Sequence, residues 1–478
     1  MSSLAILIDF GSTYTKVVAV DLASAEVIGR SQSASTVETD VRQGLLDALT
    51  ELHEDHALFD SRPNGLGVLD GTLALASSSA AGGLRMAVVG LVPGLTVEAA
   101  NQAALGAGAK LIGSWSFKLR DQAVAEIESQ RPDMILLTGG TDGGDSETIL
   151  HNARLLAGSS LAVPVVVAGN QAVTDEVGEI LRRGGKEVRL AENVMPRPGK
   201  LAVATAREEI RKLFMERITR AKGMDRLGPH VPVILPTPMA VLEGALLGAQ
   251  GTTDESGWSD LLVVDVGGAT TDVHSIGYGQ ATGPQVAEQG LPEPFAKRTV
   301  EGDLGIRFNA GTLMERVGIE RFEDEFRAVF PEYRISRAEI ARYVAEASRE
   351  TSIVPQSEWH GAVDAQLARI AVDIGVERHV GKKERIVTHA GEAWMYYGKD
   401  LSETRTMIGT GGVFIYNPHA AHILSAGGAG NGRYEVLRPK QPKLFIDGSY
   451  LLYAVGLLSR SHAGVALRLF KRFMKPLQ

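Results

Sequence analysis

The sequence predicts an α/β protein of more than one domain, and three observations predict it. Short apolar runs alternate with amphipathic helical patterns along nearly the whole chain, which is the signature of strands and helices packed in layers. At 478 residues the chain exceeds what one hydrophobic core organises, so two or three domains are expected. One short pattern, an apolar strand running into an Asp-x-Gly turn rich in hydroxyl residues, occurs twice.

The first copy, LAILIDFGSTYTKVVAVD, covers Leu4–Asp21. Leu4–Ile8 and Lys16–Val20 read as the two strands of a hairpin whose turn carries Asp9, Gly11, Ser12, Thr13 and Thr15. Further strands are expected at Leu73–Ala76, Met86–Leu91, Met134–Leu137, Val163–Ala168, Leu261–Val266, Arg385–Thr388, Arg405–Ile408 and Leu444–Ile446. Asp40 with Gln43, Thr205 with Glu208 and Ser336 with Glu339 have the spacing of a capping box. Thr237-Pro238 and Asn417-Pro418 place a cap residue before a proline at the first helical position.

Composition shifts divide the chain. Residues 1–130 form a first half, and Arg131–Leu190 reads β-α-β-α-β, an α/β insertion over 131–225. Residues 226–259 complete that half and end in the polar, glycine-rich linker Gly248–Asp260. The second copy of the turn opens 260–301, a helical subdomain follows over 302–383, and 384–478 returns to α/β.

Bulk properties exclude several functions. A net charge of −8 gives no electrostatic footprint for nucleic acid. The absence of cysteine removes disulfides, thiol nucleophiles, cysteine-ligated zinc and iron–sulfur clusters together. MSSLAILIDFG lacks a basic n-region, and its apolar run ends at Asp9, so it does not read as a signal peptide. The uncharged runs Leu155–Thr174 and Thr406–Gly432 are interrupted by Pro, Asn, Gln and Gly, unlike a membrane span. A cytoplasmic protein is expected.

The chemistry lies in the turns. In the second, LLVVDVGGATTDVHS, Asp265, Gly267, Gly268, Thr270 and Asp272 follow four apolar residues. Glycine lets backbone N–H groups approach a ligand closely, and hydroxyls and Lys16 supply further donors. An aspartate cannot face phosphate unaided, so each turn implies a bridging cation, Mg²⁺ held through water. Either turn by itself also reads as an ordinary strand-end turn; their repetition, in order and with the hydroxyls, favours a nucleotide between two halves.

These motifs resemble those of the actin-like ATPase superfamily of sugar kinases, DnaK-type chaperones and actin. The resemblance implies a two-domain, ribonuclease H-like fold with an α/β insertion in the first half and a helical subdomain in the second. Asp9, Gly11, Ser12, Thr13 and Lys16 are similar to its first phosphate motif, and Asp265, Gly267, Gly268, Thr270 and Asp272 to its second. Ala269 stands where a glycine is common. VEGDLGIRFNAG, Val300–Gly311, resembles the chaperone segment that follows the second motif. TMIGTGGVFIYN, with Gly409, Gly411 and Gly412, resembles the adenosine motif, and LFIDGSYLLYAVGLL, with Asp447, the closing helix. By this resemblance Asp9 and Asp265 hold Mg²⁺, Lys16 meets the phosphates, and Thr270 or Asp272 orients water.

A closer resemblance covers nearly the whole chain. LRMAVVGLVPGLTVEAANQAALGAGAKL, ILLTGGTDGGD, DLLVVDVGGATTDVHS, RTVEGDLGIR and IGTGG, in this order, resemble the glutamate mutase L family. That resemblance implies an ATP-binding accessory protein, a chaperone or reactivating factor for a coenzyme-B12-dependent mutase, with the mutase as protein client and slow ATP hydrolysis. An actin-like scaffold and a small-molecule kinase of the same fold are the alternatives. An iron–sulfur radical-enzyme activator is excluded by the missing cysteines.

Other features stay open between a structural and a functional reading. The loop Gly139–Gly144 carries Asp142 and Asp145 without a lysine and reads as a tight βα turn or a second functional loop. His53 with His56, and His419 with His422, have helical spacing but no carboxylate companion, so structural roles are expected. His274, and the aromatic set Trp394, Tyr396 and Tyr397, read first as packing. The tail His462–Gln478 places Ala466, Leu469, Phe470, Phe473 and Leu477 on one helical face and Arg468, Lys471, Arg472 and Lys475 on the other. Either that helix packs, or its basic face meets an anionic membrane or a partner.

Overall fold

The structure is a computed structural model. It describes residues 3–477 apart from 12, 37–38, 80–83, 219–225, 228–229, 280–285, 390 and 430–434. The chain divides into two compact units, Met1–Ala240 with Gly290–Pro294, and Val241–Gln289 with Phe295–Gln478.

The first unit starts with a meander of β1 (Leu4–Phe10), β2 (Tyr14–Asp21) and β3 (Glu26–Ala34), each antiparallel to the next. β1 is buried along almost its whole length, as its unbroken apolar run requires. β3 alternates between less and more exposed positions, as an edge strand does. Helix α1 (Val41–His56) lays Leu45, Leu49 and Leu52 on the core that holds Ile6, Ile8 and Phe10. Its N-cap Asp40 accepts the Arg42 N–H, while Gln43 turns to Asp47, so the expected capping box is not closed. β4 (Leu73–Ser78) then pairs parallel with β1.

The chain leaves this sheet for a second one. β5 (Leu84–Gly90), α2 (Glu98–Gly106), β6 (Ala109–Ser116), α3 (Asp121–Ser129), β7 (Met134–Leu137), α4 (Glu147–Gly158), β8 (Val165–Val167), α5 (Thr174–Arg183) and β9 (Val188–Leu190) alternate strictly. Their strands form an all-parallel sheet in the order β6-β5-β7-β8-β9. Strands β5 and β6 precede residue 131, so this sheet starts N-terminal to the segment that composition sets apart as an insertion. Helix α6 (Ala204–Ile218) packs Ile210, Leu213 and Phe214 on the first core, and Thr205 lies inside it rather than at its cap. β10 (Val233–Pro236) returns to pair parallel with β4.

The boundary between units falls inside α7 (Thr237–Gln250). The second unit then repeats the plan of the first. β11 (Leu261–Val266) and β12 (Thr271–Ile276) form the hairpin; after β13 (Val286–Gln289), β14 (Ala296–Glu301) adds antiparallel to β12. Helices α8 (Ala310–Val317), α9 (Ile319–Val329), α10 (Arg337–Arg349) and α11 (Glu358–His379) follow, and α10 opens with the complete Ser336–Glu339 capping box. β15 (Lys382–Thr388) and β16 (Gly391–Tyr397) join β13 in a small sheet that carries Trp394, Tyr396 and Tyr397, all half-buried. β17 (Thr406–Thr410) pairs parallel with β11. Beyond α12 (Gly412–Tyr416) and α13 (Ala420–Ser425), β18 (Lys443–Asp447) pairs parallel with β17.

Both units therefore carry one connectivity: two successive antiparallel partners on one side of the first strand, two parallel strands on the other, giving β3-β2-β1-β4-β10 and β14-β12-β11-β17-β18. This duplicated mixed sheet has the two-domain, ribonuclease H-like strand order that the resemblance implies.

The chain closes with α14 (Leu452–Leu458), α15 (Ala463–Phe473) and β19 (Met474–Pro476). Val465, Ala466, Leu467, Leu469 and Phe470 are buried, β19 pairs with β18, and the Leu477 N–H donates to the Leu444 carbonyl. Lys471, from the basic face, meets Glu255. Most of the tail's apolar face is thus taken up by packing, with Phe473 and Leu477 half-buried. Among the described residues no helix is long and apolar enough to cross a membrane.

Candidate functional site

The first turn is shaped by a hydrogen bond from the Gly11 N–H to the Tyr14 carbonyl. A Cβ on Gly11 would stand 2.7 Å from that oxygen, so only glycine lets the chain reverse here. Asp9 is 1% exposed. Its Oδ1 accepts from Ser77 Oγ at 3.0 Å and from Thr237 Oγ1 at 2.5 Å. Register explains the meeting: β1 pairs Asp9 with Ser77 on β4, β10 pairs Leu235 with Ser77, and Thr237 begins the helix after β10. Lys16 pairs with Asp9 across the hairpin, so both side chains leave the same face. Burial raises the Asp9 pKa, and Lys16 and the two hydroxyls pull against it. Thr13 is exposed, and Ser12 lies outside the described residues.

The second turn repeats the first with a different surround. The Gly267 N–H donates to the Thr270 carbonyl, and Asp265 faces Asp272 across the hairpin. The segment after β14 closes on this turn. Arg307 and Phe308 N–H both donate to the Gly268 carbonyl, Ile306 N–H to that of Gly267, and Asn309 Nδ2 to that of Ala269. A Cβ on Gly305 would stand 2.3 Å from the Ala269 carbonyl carbon. Asp272, 8% exposed, forms a buried ion pair with Arg298 of β14 and accepts from Thr270 Oγ1 at 3.2 Å. His274, fully buried beside that pair, is held neutral by burial, its pKa pushed down to about 3.

The glycine motif after β17 joins this second turn. Gly411 has φ +108°, and a Cβ there would stand 2.4 Å from the Val266 carbonyl and 3.2 Å from Asp265 Oδ1. Any larger residue would crowd Asp265. A Cβ on Gly409 would collide with the Phe414 ring, and Gly412 starts α12. Asp447 does not face a ligand. Its buried carboxylate takes the N–H groups of Leu451 and Leu452 at the start of α14 and the hydroxyl of Thr410.

The structure thus brings Asp265, Gly267, Gly268, Thr270, Asp272 and Gly411 together in one unit, and Asp9, Gly11 and Lys16 in the other. Sequence reading missed Ser77, Arg298 and Asn309, and took Thr237 only as a helix start. The Ser77–Ser79 run, where an apolar strand ends in hydroxyls, was the available signal for Ser77. Arg298 opens the RTVEGDLGIR motif, but its pairing with Asp272 could not be read from it, because the partner comes from a neighbouring strand.

The Gly139–Gly144 loop is knitted from within. Asn170 accepts from Gly143 N–H and donates to the Gly144 carbonyl; Asn193 donates to the Gly140 carbonyl and to Asp142. Asp145 caps the first turn of α4 through the Thr148 N–H. Gly139, Gly140 and Gly143 have positive φ, as a tight strand-to-helix turn demands. Among the described residues, no group of three or more His, Asp or Glu side chains is placed to hold a metal by itself. Water-mediated Mg²⁺ requires only one or two carboxylates. Asp9, buried among hydroxyl partners, and Asp265, half-buried with room left beside it by Gly411, each supply one such carboxylate within their own unit.

Comparison with known proteins shows the family. The family profile described as MutL protein matches residues 5–474. "Protein MutL" of Clostridium tetanomorphum is 42% identical over 470 residues, 98% of each chain. Among solved structures, a ligand-bound xylulose kinase from Lactobacillus acidophilus aligns at 11% identity over 99% of this chain and 93% of its own, with a TM-score of 0.35. A glycerol dehydratase reactivase aligns at 12% identity over 96% and 100%, with a TM-score of 0.34. Match and identity extend over nearly the whole length, and the chain belongs to the MutL family, the glutamate mutase L family that its motifs resemble.

Proposed function

We propose that this protein binds Mg-ATP through its two Asp-x-Gly turns and uses slow hydrolysis to remodel a coenzyme-B12-dependent mutase as an accessory or reactivating factor. The observation that carries this reading is the repetition of one turn at one position of one sheet in both units, in a member of the MutL family. A strand that ends in carboxylate, glycine and hydroxyl is suited to holding a polyphosphate and its cation, and coupling nucleotide turnover to a change of conformation is what a remodelling factor needs.

In this reading Asp9 and Asp265 hold Mg²⁺ through its water shell, and the ion neutralises phosphate charge when bound. Lys16 meets the phosphate oxygens. The turns that Gly11, Gly267 and Gly268 shape would face the phosphates, and Gly409, Gly411 and Gly412 would border the adenosine. Thr270 or Asp272 would orient the water that attacks the terminal phosphate. Catalysis by such a set consists of positioning and charge compensation.

The test is recovery of partners from a native extract on the immobilised protein, with Mg-ATP and with Mg-ADP. A B12-dependent mutase retained in a nucleotide-dependent way supports the reading. Rapid ATP consumption at roughly 1–100 s⁻¹, stimulated by one metabolite that becomes phosphorylated, would replace it with a kinase. Nucleotide-dependent sedimentation of the protein alone would replace it with a scaffold.

A further inference from the structure

We propose that Arg298 is a positioning residue for Thr270, acting through Asp272. This rests on the reading of the second turn as the hydrolytic side of a nucleotide site, and it separates the two candidates for orienting water. Arg298 Nε and Nη2 both donate to Asp272 Oδ1, at 2.9 and 2.6 Å. Thr270 Oγ1 donates to the other oxygen, Oδ2, at 3.2 Å. The two carboxylate oxygens therefore have separate tasks, one anchored to the guanidinium and one turned to the hydroxyl.

Three consequences follow from elementary chemistry. A hydroxyl has one proton and two lone pairs. With its proton committed to Asp272, Thr270 offers lone pairs outward, so it accepts a hydrogen bond from water and fixes where that water's oxygen points. Asp272, engaged on both oxygens and buried with its side chain 11% exposed, orients Thr270 instead of taking a proton from water. Arg298 also balances the Asp272 charge, which would otherwise oppose an anionic phosphate in a poorly screened setting. His274, beside the pair and neutral through burial, adds no positive charge of its own. The anchor is itself rigid. Arg298 is 4% exposed, and β14 is paired with β12 along its length, His274 opposite Arg298 and Asp272 opposite Val300.

The experiment measures Mg-ATP affinity and single-turnover hydrolysis on the full chain for wild type, Thr270→Ala, Thr270→Ser, Arg298→Gln, Arg298→Lys and the Thr270→Ala/Arg298→Gln pair. Arg298→Gln is expected to slow hydrolysis about 10-fold or more while Mg-ATP affinity changes less than about 3-fold. Arg298→Lys, which keeps the charge and loses the fork, should recover part of the rate, and Thr270→Ser, which keeps the hydroxyl, should retain more of it than Thr270→Ala. In the double variant the losses should not multiply, because both residues serve one hydroxyl. Should Arg298→Gln fail to fold, Arg298→Lys and the Thr270 pair of variants carry the test. Wild-type hydrolysis rates in folded Arg298 variants, or multiplying losses, overturn the inference and leave the nucleotide reading intact. A wild type that binds Mg-ATP and never hydrolyses it also overturns the inference. A wild type that does not bind Mg-ATP overturns the nucleotide reading, and the affinity arm alone reveals that.

Discussion

The two halves use one backbone turn and treat its charge in opposite ways. In the first, Asp9 is fully buried and held by the hydroxyls of Ser77 and Thr237, and desolvation raises its pKa despite Lys16. In the second, Asp265 is half-buried beside Gly411, and the neighbouring carboxylate Asp272 is compensated by Arg298. Hydrogen bonds from hydroxyls satisfy a carboxylate without cancelling its charge, whereas a guanidinium does both. The first turn therefore sets a desolvated carboxylate opposite a lysine, and the second sets two carboxylates against one guanidinium, with Asp272 turned to the hydroxyl of Thr270. One turn is suited to waiting for its ligand, the other to holding a group still.

That contrast predicts opposite signs for Asp→Asn at Asp272 and at Asp9. Asp272→Asn leaves Arg298 buried without its counter-charge and should cost about 3–5 kcal/mol, read as loss of hydrogen-exchange protection in β12 and β14. Stability unchanged by Asp272→Asn would mean that the pair is not the anchor described.

Acid should separate the halves next. The folded His274 pKa, about 3, lies below its ordinary 6.5, so the unfolded chain takes up a proton that the folded one refuses. Its contribution is present above pH 6.5 and lost as pH falls toward the folded value, about 2 kcal/mol on reaching pH ~5. His379, fully buried and likewise pushed down by burial, adds to the same loss. Asp9 has the opposite sign. Its raised pKa gives a contribution that is present below 3.8 and lost as pH rises through the folded value. Acidification to pH ~5 should therefore expose second-unit amides first, and His274→Leu should shrink the difference. First-unit amides opening first would break the comparison.

The smallest effect is a gain. Asp9→Asn removes a buried charge while keeping a carbonyl for Ser77 and Thr237, and should stabilise the nucleotide-free protein by about 1 kcal/mol, some 2–4 °C in melting temperature. A lower melting temperature would show that Lys16 already compensates Asp9.

How much of this was legible in the sequence follows the same division. Both turns were readable, because glycine, hydroxyl and carboxylate after an apolar strand leave few alternatives. β1, β4, β7 and β11 were readable from their apolar runs. β12 was not, although all six of its residues are buried, because it buries Thr271, Asp272, His274 and Ser275, which no hydropathy pattern marks as core. β3 and β14 were missed for a related reason, since strands only partly buried carry polar side chains. Arg298 was out of reach because its meaning comes from register: β14 places it opposite His274, one pleat from Asp272. The tail's amphipathic pattern was visible, but a pattern shows that an apolar face needs covering and not what covers it. Here α15 turns that face into its own unit.

The central claim, that the Asp-x-Gly turns bind Mg-nucleotide, is tested most directly by thermal unfolding with Mg-ATP, with ATP and chelator, and with neither. Ligand at a hundredfold excess over its Kd adds about 2.7 kcal/mol, which at roughly 2–4 °C per kcal/mol raises the wild-type transition by several degrees. Asp9→Ala and Asp265→Ala should each lose the magnesium-dependent part of that rise while remaining folded. A wild-type transition unmoved by Mg-ATP, or one raised equally in both variants, would contradict the account.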